Sequence, residues 1–171
     1  GKPSGLIYAT GSPWDSWIVS IAAARILGKP LVFKVVGDPV WEWAQRRGGT
    51  NVLLDDFNDV KSGIVIEILK RFRNRAARMA DRVITPSAYL KEIVKKWGMC
   101  SKEIEVIYNA VEIPYDPEIN HENRRRDLLA IGRLVPWKGM DGLIRIARML
   151  PEDARLVIVG DGPLEASLKE Q

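Results

Sequence analysis

Residues 127–141, DLLAIGRLVPWKGMD, join an apolar strand to a helix through a loop that carries two cations. Gly132 lets the backbone turn tightly where the strand ends, Arg133 can place several N–H groups on phosphate oxygens, and Lys138 can add a mobile point charge. A helix that begins near Gly139 would add free backbone amides and a positive dipole end. The stretch is therefore typical of a loop that holds phosphate.

A second strand and turn follow at residues 155–163, RLVIVGDGP, and another helical segment comes after them. The order of strand, helix, strand and helix predicts an α/β half-domain with a parallel, Rossmann-like sheet. Gly160 and Gly162 would let a ligand approach the backbone beyond the second strand. Glycines that only make the turn would produce the same pattern.

The upstream part of the chain alternates between strands and helices in the same way. We predict strands at residues 6–9, 31–36, 82–84 and 104–107, and helices at residues 14–27, 62–80 and 87–97. Polar and acidic residues suggest an exposed loop from residue 48 to 59. A strand-helix-strand unit restarts after a polar, proline-containing connection, so we predict two domains at residues 1–112 and 127–171 with a linker at 113–126.

The helix at residues 62–80 is amphipathic, and we expect Ser62 to cap its N-terminus. Its apolar arc contains Ile64, Val65, Ile68, Leu69, Phe72, Ala76 and Met79. Its opposite arc contains Lys70, Arg71, Arg73 and Arg78. This basic arc could rest on an anionic membrane surface, where a cluster gains about 1 kcal/mol per charge. A solvated helix face explains the same residues.

Composition limits the classes of protein that fit. Of the 171 residues 46% are apolar, enough to bury a core. Cys100 and His121 are the only residues of their kinds, which excludes an internal disulfide, argues against a Cys/His zinc site and favours a reducing cytoplasm. No apolar run approaches the roughly twenty residues that span a bilayer. Asp55, Asp56 and Asp59 lack the spacing of a calcium loop, so we expect no metal.

The net charge of +4 favours an anionic partner, and Arg124, Arg125 and Arg126 form a second basic cluster. A nucleotide- or nucleic-acid-binding module is one interpretation. The aromatic residues do not form an RNA-binding sheet motif, and the arginines are not arranged as a DNA-reading helix, so no nucleic acid is expected.

Several motifs together resemble one enzyme family. Residues 132–134 with Lys138-Gly139, followed by LVIVGDGP at 156–163, resemble the donor domain of family 4 retaining glycosyltransferases. Residues 80–87, ADRVITPS, and 105–111, EVIYNAV, are similar to the paired motifs that close the acceptor domain in that family. The resemblance implies a GT-B architecture of two Rossmann-like domains facing a cleft. This chain would be the central part, with both domains incomplete and the fragment inactive alone.

The resemblance also implies a chemistry. A UDP- or GDP-sugar would serve as donor, with no cofactor, and the sugar would move to an acceptor hydroxyl in cell-envelope polysaccharide or glycolipid synthesis. Arg133 and Lys138 would bind the diphosphate and stabilise it as the leaving group. Gly132, Gly160 and Gly162 would lie on the donor side. An epimerase or phosphorylase of the same architecture would reuse this phosphate site.

Asn109 is assigned to the donor-binding residues and would order the floor of the cleft, or it would simply make a turn. The acceptor side is less well defined by sequence. Many members carry a histidine where this chain has Val36, so Asp38 or Glu42 could contact a sugar hydroxyl instead, or Asp38 could cap a helix. Four of the six tryptophans follow predicted strands: Trp14, Trp17, Trp41 and Trp43. At the carboxyl edge of the sheet they could stack on a sugar, sit at a lipid interface or pack over the strands.

Overall fold

The structure is a computed structural model that describes residues 5–11, 14–100, 103–112 and 126–171. The chain divides into two compact units, Gly1–Glu112 and Ile113–Gln171, which we treat separately. Residues 113–125 lie outside the described residues. They include most of the predicted linker, His121, Arg124 and Arg125, and the side chain of Arg126 is not described either.

Unit 1 is a four-stranded parallel sheet with helices in its crossover connections, which confirms the predicted α/β class. Its strands lie in the order β1-β2-β3-β4. In chain order the elements are β1 (Ile7–Thr10), α1 (Ser16–Leu27), β2 (Leu31–Lys34), α2 (Pro39–Arg46), α3 (Leu54–Phe57), α4 (Ile64–Ala77), β3 (Arg82–Thr85), α5 (Ala88–Lys95) and β4 (Ile104–Val106). In a parallel sheet every strand ends at the same edge, so the loops after β1 and β2 meet there.

Local signals account for several helix ends in unit 1. Gly28 ends α1 in the left-handed conformation, with φ of 60°, which glycine adopts without steric cost. Ser87 caps α5 as predicted, because its hydroxyl accepts a hydrogen bond from the Leu90 amide at 3.1 Å. The prediction for Ser62 is wrong. Gly63 occupies the N-cap position of α4, and the Ser62 amide instead donates to the Glu67 carboxylate at 3.0 Å.

The core of unit 1 centres on aromatic residues under the sheet. Trp17 stacks on Phe33 with ring centroids 4.5 Å apart, and both are fully buried. Trp97 is also fully buried. The predicted exposed loop at residues 48–59 contains the short helix α3, whose Phe57 is fully buried. Part of that segment is therefore packed structure, because an aromatic side chain supplies apolar area that its acidic neighbours lack.

The buried face of α4 differs from the predicted one, although Ala76 of the apolar arc is buried as expected. Ile64 and Ile68, from the predicted apolar arc, are 81% and 57% exposed, whereas Lys70 and Arg73 from the basic arc are buried. The inward arc consists of Ile66, Lys70, Arg73, Ala76 and Ala77. The burial of the two cations has a physical reason, because a buried carboxylate and several backbone and side-chain oxygens lie under this arc and satisfy them.

Unit 2 is a two-stranded parallel sheet with two helices, as the strand-helix-strand-helix pattern predicts. Its elements are β5 (Arg126–Ile131), a 3-10 turn (Pro136–Lys138), α6 (Met140–Ala147), β6 (Ala154–Val159) and α7 (Glu165–Lys169). Strands β5 and β6 pair in parallel, with Leu128 opposite Leu156. Among the helices of the described residues, in either unit, none combines the length and apolar character needed to cross a bilayer.

Candidate functional site

The loop after β5 in unit 2 is held against the turn after β6 by backbone hydrogen bonds. The amide of Gly132 donates to the Val159 carbonyl at 3.0 Å, and that of Leu134 donates to the Asp161 carbonyl at 2.7 Å. The Leu164 amide returns a bond to the Leu134 carbonyl at 3.1 Å. Leu134 is also buried. The conformation of this loop is therefore set by its own backbone and by buried apolar contacts.

Gly160 and Gly162 are explained by this backbone packing. A Cβ on Gly160 would lie 1.9 Å from the Gly132 carbonyl oxygen, and one on Gly162 would lie 2.5 Å from the Leu134 carbonyl oxygen. Contacts this short are not tolerated, so the two glycines allow the loop and the turn to touch. Direct contact of either glycine with a ligand stays a prediction.

Arg133 and Lys138 project from this loop, and both are exposed. Among the side-chain hydrogen bonds and ion pairs of the described residues, none involves either of them. Gly139, with φ of 66°, follows the 3-10 turn and is the N-cap residue of α6. The loop therefore presents two cations next to a helix N-terminus, an arrangement that can bind the oxygens of a phosphate.

One acidic residue lies near the same helix end. Asp141, in the first turn of α6, pairs with Arg145 at 2.9 Å. The hydrogen bond from Arg145 lowers the pKa of the Asp141 carboxyl. Its negative charge is compensated within the helix by that partner. Gly132 is tightly placed over α6, because a Cβ there would lie 3.3 Å from Cε of Met140.

Asn109 lies in unit 1, beyond β4. Its side-chain oxygen accepts a hydrogen bond from Nζ of Lys34, the last residue of β2, at 2.7 Å. The contact ties the segment after β4 to the carboxyl end of β2. It gives Asn109 a structural partner, and its assignment to the donor side stays a prediction.

Asp38 does not stand where it could meet an acceptor. Its side chain is fully buried, accepts hydrogen bonds from the amides of Val40 and Trp41 at 3.0 and 3.2 Å, and forms an ion pair with Arg73. The helix-cap interpretation is therefore the one that the structure supports, and the sugar-contact prediction for Asp38 is corrected. A carboxylate at the N-terminus of α2 is stabilised by free amides, and a buried one needs a cationic partner.

Arg73 is part of a buried network that the sequence did not reveal. It also donates to the side-chain oxygens of Asn58 and Asn74 at 2.6 and 2.8 Å, and its guanidinium carbon lies 4.3 Å from the centroid of the Trp97 ring. Burial lowers the pKa of the Arg73 guanidinium, and the Asp38 carboxylate opposes that shift. The network holds α4 to the start of α2.

Lys70 is bound in the same region. Its ammonium donates to the Val60 carbonyl at 3.0 Å, pairs with Glu67 at 3.0 Å and lies 4.4 Å from the centroid of the Phe57 ring. Lys70 and Arg73 are therefore not available to a membrane surface as predicted, because their charges are paired inside unit 1. Arg71 and Arg78 remain exposed.

Two of the predicted acceptor tryptophans are structural. Trp17 is fully buried in the core, and Trp41 is 9% exposed with its indole N–H donating to the Val52 carbonyl at 2.9 Å. Both predictions are corrected, since neither ring is available to a sugar. Trp14 is 36% exposed and stacks on Phe72 with ring centroids 5.6 Å apart.

Trp14 also lines a groove of about 420 Å³, which we call the α2 groove. It is lined by Trp14, Pro39, Glu42, Trp43, Arg46 and Arg47. A smaller cavity of about 250 Å³ shares Pro39 and Glu42 and reaches Gly11, Val36 and Gly37, where β1 and β2 end. Sequence reasoning singled out Trp43 but not Arg46 or Arg47. Helical spacing after Asp38 was the signal that could have found Arg46, since residues 39, 42, 43 and 46 share one face of a helix.

The acidic residues after α2 lie near a cation of the chain itself, the ammonium group of Lys96. Asp59 pairs with Lys96 at 2.6 Å, and the same ammonium donates to the backbone carbonyl of Asp55 at 2.6 Å. Among the described residues, no group of three or more His, Cys, Asp or Glu side chains is placed to hold a metal ion.

Both units of the chain match models of known protein families. The family model described as Glycosyltransferase Family 4 matches residues 7–114, and the one described as Glycosyl transferases group 1 matches residues 113–171. Two curated relatives match part of the chain. An uncharacterized glycosyltransferase of Methanocaldococcus jannaschii is 28% identical over 96 residues, 50% of this chain and 24% of its own length.

The second relative, from Campylobacter jejuni, is N-acetylgalactosamine-N,N'-diacetylbacillosaminyl-diphospho-undecaprenol 4-alpha-N-acetylgalactosaminyltransferase. It is 30% identical over 93 residues, 52% of this chain and 26% of its own length. The chain thus spans about a quarter of the length of the curated relatives that it matches.

Solved structures show the same fold. HepE of Anabaena in complex with UDP superposes with a TM-score of 0.65 at 22% identity, over 96% of this chain and 43% of that chain. The complex of HepE with UDP and glucose gives a TM-score of 0.64 at 21% identity, over 96% and 42% of the two chains. The architecture of these neighbours confirms the Rossmann-like, GT-B-type fold predicted from the sequence motifs.

Proposed function

The chain belongs to glycosyltransferase family 4, and from that premise we propose that it is part of an enzyme that transfers a sugar from a nucleotide-sugar donor to an acceptor hydroxyl. The observation that carries the proposal is the loop of unit 2, where Arg133 and Lys138 are exposed beside the N-terminus of α6. The UDP that HepE binds supports a uridine or similar nucleoside diphosphate as the carrier of the sugar.

The two cations would act on the leaving group. As the bond between the sugar and the diphosphate breaks, negative charge grows on the phosphate oxygens, and groups already in position stabilise it without reorganisation. Arg133 would bind two oxygens with its planar guanidinium, and Lys138 would add a point charge. The backbone bonds that fix the loop would keep both cations in place before the donor arrives.

We further propose a retaining transfer without a covalent protein nucleophile. An oxygen of the departing diphosphate would take the proton of the acceptor hydroxyl, which would attack the same face of the sugar. In this mechanism the diphosphate-binding loop is the part of unit 2 on which the reaction rate depends most. The mechanism requires no metal or cofactor.

For the acceptor we propose a lipid-linked or polysaccharide molecule of the cell envelope, handled at the inner face of the membrane. The exposed face of α4 supports this, because it carries apolar side chains beside exposed cations: Ile64, Val65, Ile68 and Phe72 next to Arg71, Arg75 and Arg78. Such a face suits an anionic interface. The undecaprenol-linked acceptor in the name of the Campylobacter relative agrees with it.

Vesicle sedimentation tests the membrane part of this proposal. The chain should pellet with vesicles that contain phosphatidylglycerol and stay in solution with neutral phosphatidylcholine vesicles. The substitutions Arg71→Gln and Arg78→Gln should release it. If the same fraction of the chain pellets with both kinds of vesicle, the proposed electrostatic contact with the membrane is wrong.

Calorimetric titration with UDP tests the donor part. Arg133→Ala should weaken UDP binding by about tenfold or more, because charge-assisted hydrogen bonds are worth about 1.5–3 kcal/mol. Arg148→Ala is the matched control, since Arg148 is an exposed cation at the other end of α6. If Arg133→Ala binds UDP as tightly as Arg148→Ala does, Arg133 is not a diphosphate ligand.

A further inference from the structure

The α2 groove combines two indole rings, one carboxylate and two guanidinium groups in a volume of about 420 Å³. We propose that this groove binds the acceptor sugar, and that this sugar carries an anionic group, a phosphate or a carboxylate, next to its ring. The proposal rests on the proposed function, since it assigns the acceptor side of the same transfer. It names residues and a substrate class that family membership does not supply.

The aromatic lining suits a sugar ring. Trp14 and Trp43 both line the groove, and each has one partner against its ring: Phe72 at 5.6 Å for Trp14 and the Arg47 guanidinium at 4.5 Å for Trp43. Partners of this kind restrict the orientations of a ring. An indole held in this way offers a flat apolar surface to the C–H groups of a sugar, with little loss of side-chain entropy on binding.

The carboxylate of Glu42 can accept hydrogen bonds from sugar hydroxyls, and it lies at the edge of the sheet. A Cβ on Gly37 would lie 2.7 Å from Oε1 of Glu42, so the carboxylate covers the turn that follows β2. Its other oxygen, Oε2, lies 3.8 Å from the Arg46 guanidinium. Glu42 thus joins the groove to the smaller cavity at the carboxyl ends of β1 and β2, the edge where parallel sheets bind their ligands.

The charge of the lining decides the substrate class. Arg46 lies 3.8 Å from the Glu42 carboxylate, and Arg47 adds a second positive charge, so the six lining residues carry a formal charge of +1 that attracts an anionic group. Arg47 is exposed, and its position against Trp43 puts a planar donor group beside the ring surface. A guanidinium matches phosphate and carboxylate oxygens with two parallel N–H groups. An anionic substituent on the sugar satisfies both the charge and the geometry.

The test is a nuclear magnetic resonance titration of the 171-residue chain, following the indole N–H signals of Trp14 and Trp43. The probes are glucose 1-phosphate, glucuronate, glucose and inorganic phosphate. We expect saturable shifts of both indole signals with glucose 1-phosphate or glucuronate, at concentrations about tenfold or more below those needed for glucose. The tighter of the two charged probes identifies the anionic group.

Two double variants separate the groove from general charge effects. Arg46→Gln with Arg47→Gln should weaken the charged probes by about tenfold or more and leave glucose unchanged. Arg25→Gln with Lys91→Gln removes the same charge from α1 and α5 and should change nothing. A thermal unfolding midpoint equal to that of the parent chain shows that each double variant is folded.

Several results would overturn the proposal. If glucose binds as tightly as the charged sugars, the groove does not require an anionic substituent. If inorganic phosphate shifts the indole signals as strongly as glucose 1-phosphate, the groove does not recognise the sugar. Equal losses of affinity in the two double variants would mean that only the overall charge matters. The absence of a saturable indole shift with every probe would mean that the groove is not a binding site.

A UDP titration of the same samples keeps this proposal distinct from the donor proposal. Shifts at residues 132–139 with UDP but none at the indoles with sugars would leave the donor proposal intact and end the proposal for the α2 groove. Indole shifts with charged sugars and none at residues 132–139 with UDP would do the reverse.

Discussion

Two pairs of cations in this molecule have opposite surroundings. Lys70 and Arg73 on α4 are buried in unit 1, with a carboxylate partner each. Arg133 and Lys138 in unit 2 are exposed on a loop whose backbone is already satisfied by its own hydrogen bonds. The first pair holds helices together, whereas the second pair is placed for a ligand from outside.

The difference shows what decides the role of a cation. The local sequence does not separate the two pairs, and the helical period of α4 even assigned Lys70 and Arg73 to a solvent-facing arc. The partner of Arg73 is Asp38, which is 35 positions away in the chain. A buried charge must be paired, so the position of the distant carboxylate, rather than the local pattern, allows Arg73 to be buried.

Breaking the buried pair should produce the largest effect. Arg73→Met leaves the Asp38 carboxylate buried without its cation, which costs about 3–5 kcal/mol of unfolding free energy. Urea unfolding followed by circular dichroism measures it. Arg71→Met, an exposed neighbour on the same helix, is the control and should change stability by less than about 0.5 kcal/mol. Equal effects of the two substitutions would contradict the buried network.

Disrupting the backbone contact that fixes the loop of unit 2 should have the second largest effect. Gly160→Ala would bring a Cβ to 1.9 Å from the Gly132 carbonyl oxygen, so we expect unit 2 to lose about 2 kcal/mol or more and UDP affinity to fall with it. Gly142→Ala is the matched control. It lies inside α6, where the nearest atom to the added Cβ would be 3.7 Å away, and should stabilise by about 0.5–1 kcal/mol. A Gly160→Ala chain of unchanged stability would disprove the close approach.

Replacing the exposed cation without removing its charge should have a smaller effect. Arg133→Lys keeps the charge but loses the planar pair of donors, so UDP binding should weaken by about tenfold while stability stays the same. Calorimetry with UDP and a parallel urea titration measure the two quantities. A loss of stability as large as that of Arg73→Met would mean that Arg133 is also structural.

The smallest effect concerns pH. The Ser62 amide and the Lys70 ammonium both hydrogen-bond the Glu67 carboxylate and lower its pKa. Because the folded pKa lies below the unfolded value of about 4.3, the contribution of Glu67 is present above that pH and is lost as pH falls through the folded pKa. Glu67→Gln should therefore lose about 1 kcal/mol or less at pH 7 and a smaller amount at about pH 4, just below the unfolded value. Unfolding curves at the two pH values that differ from the parent by the same amount would contradict this.

Sequence reasoning was most successful where local chemistry decides the structure. Apolar runs with glycine or proline at their ends predicted the strands, and Ser87 predicted the start of α5 from its capping hydroxyl. The parallel order of the strands followed from the alternation with helices. These features depend on neighbours within a few residues.

The failures involve partners that lie far apart in the chain. Trp17 was assigned to the acceptor side, but Phe33 from the next strand stacks on it in the core. Phe57 was assigned to an exposed loop, but Lys70 from α4 covers it. For Gly160, the sequence indicated a special position but not its cause, which is the backbone of Gly132.

The most direct test of the central claim is an amide-resolved nuclear magnetic resonance titration of the chain with UDP. Our account predicts saturable shifts at residues 132–140 and no shift at the Nε–H signal of Arg73, because Arg133 and Lys138 face a ligand and Arg73 is held inside unit 1. Saturable shifts at Arg73, or none at residues 132–140, would contradict it.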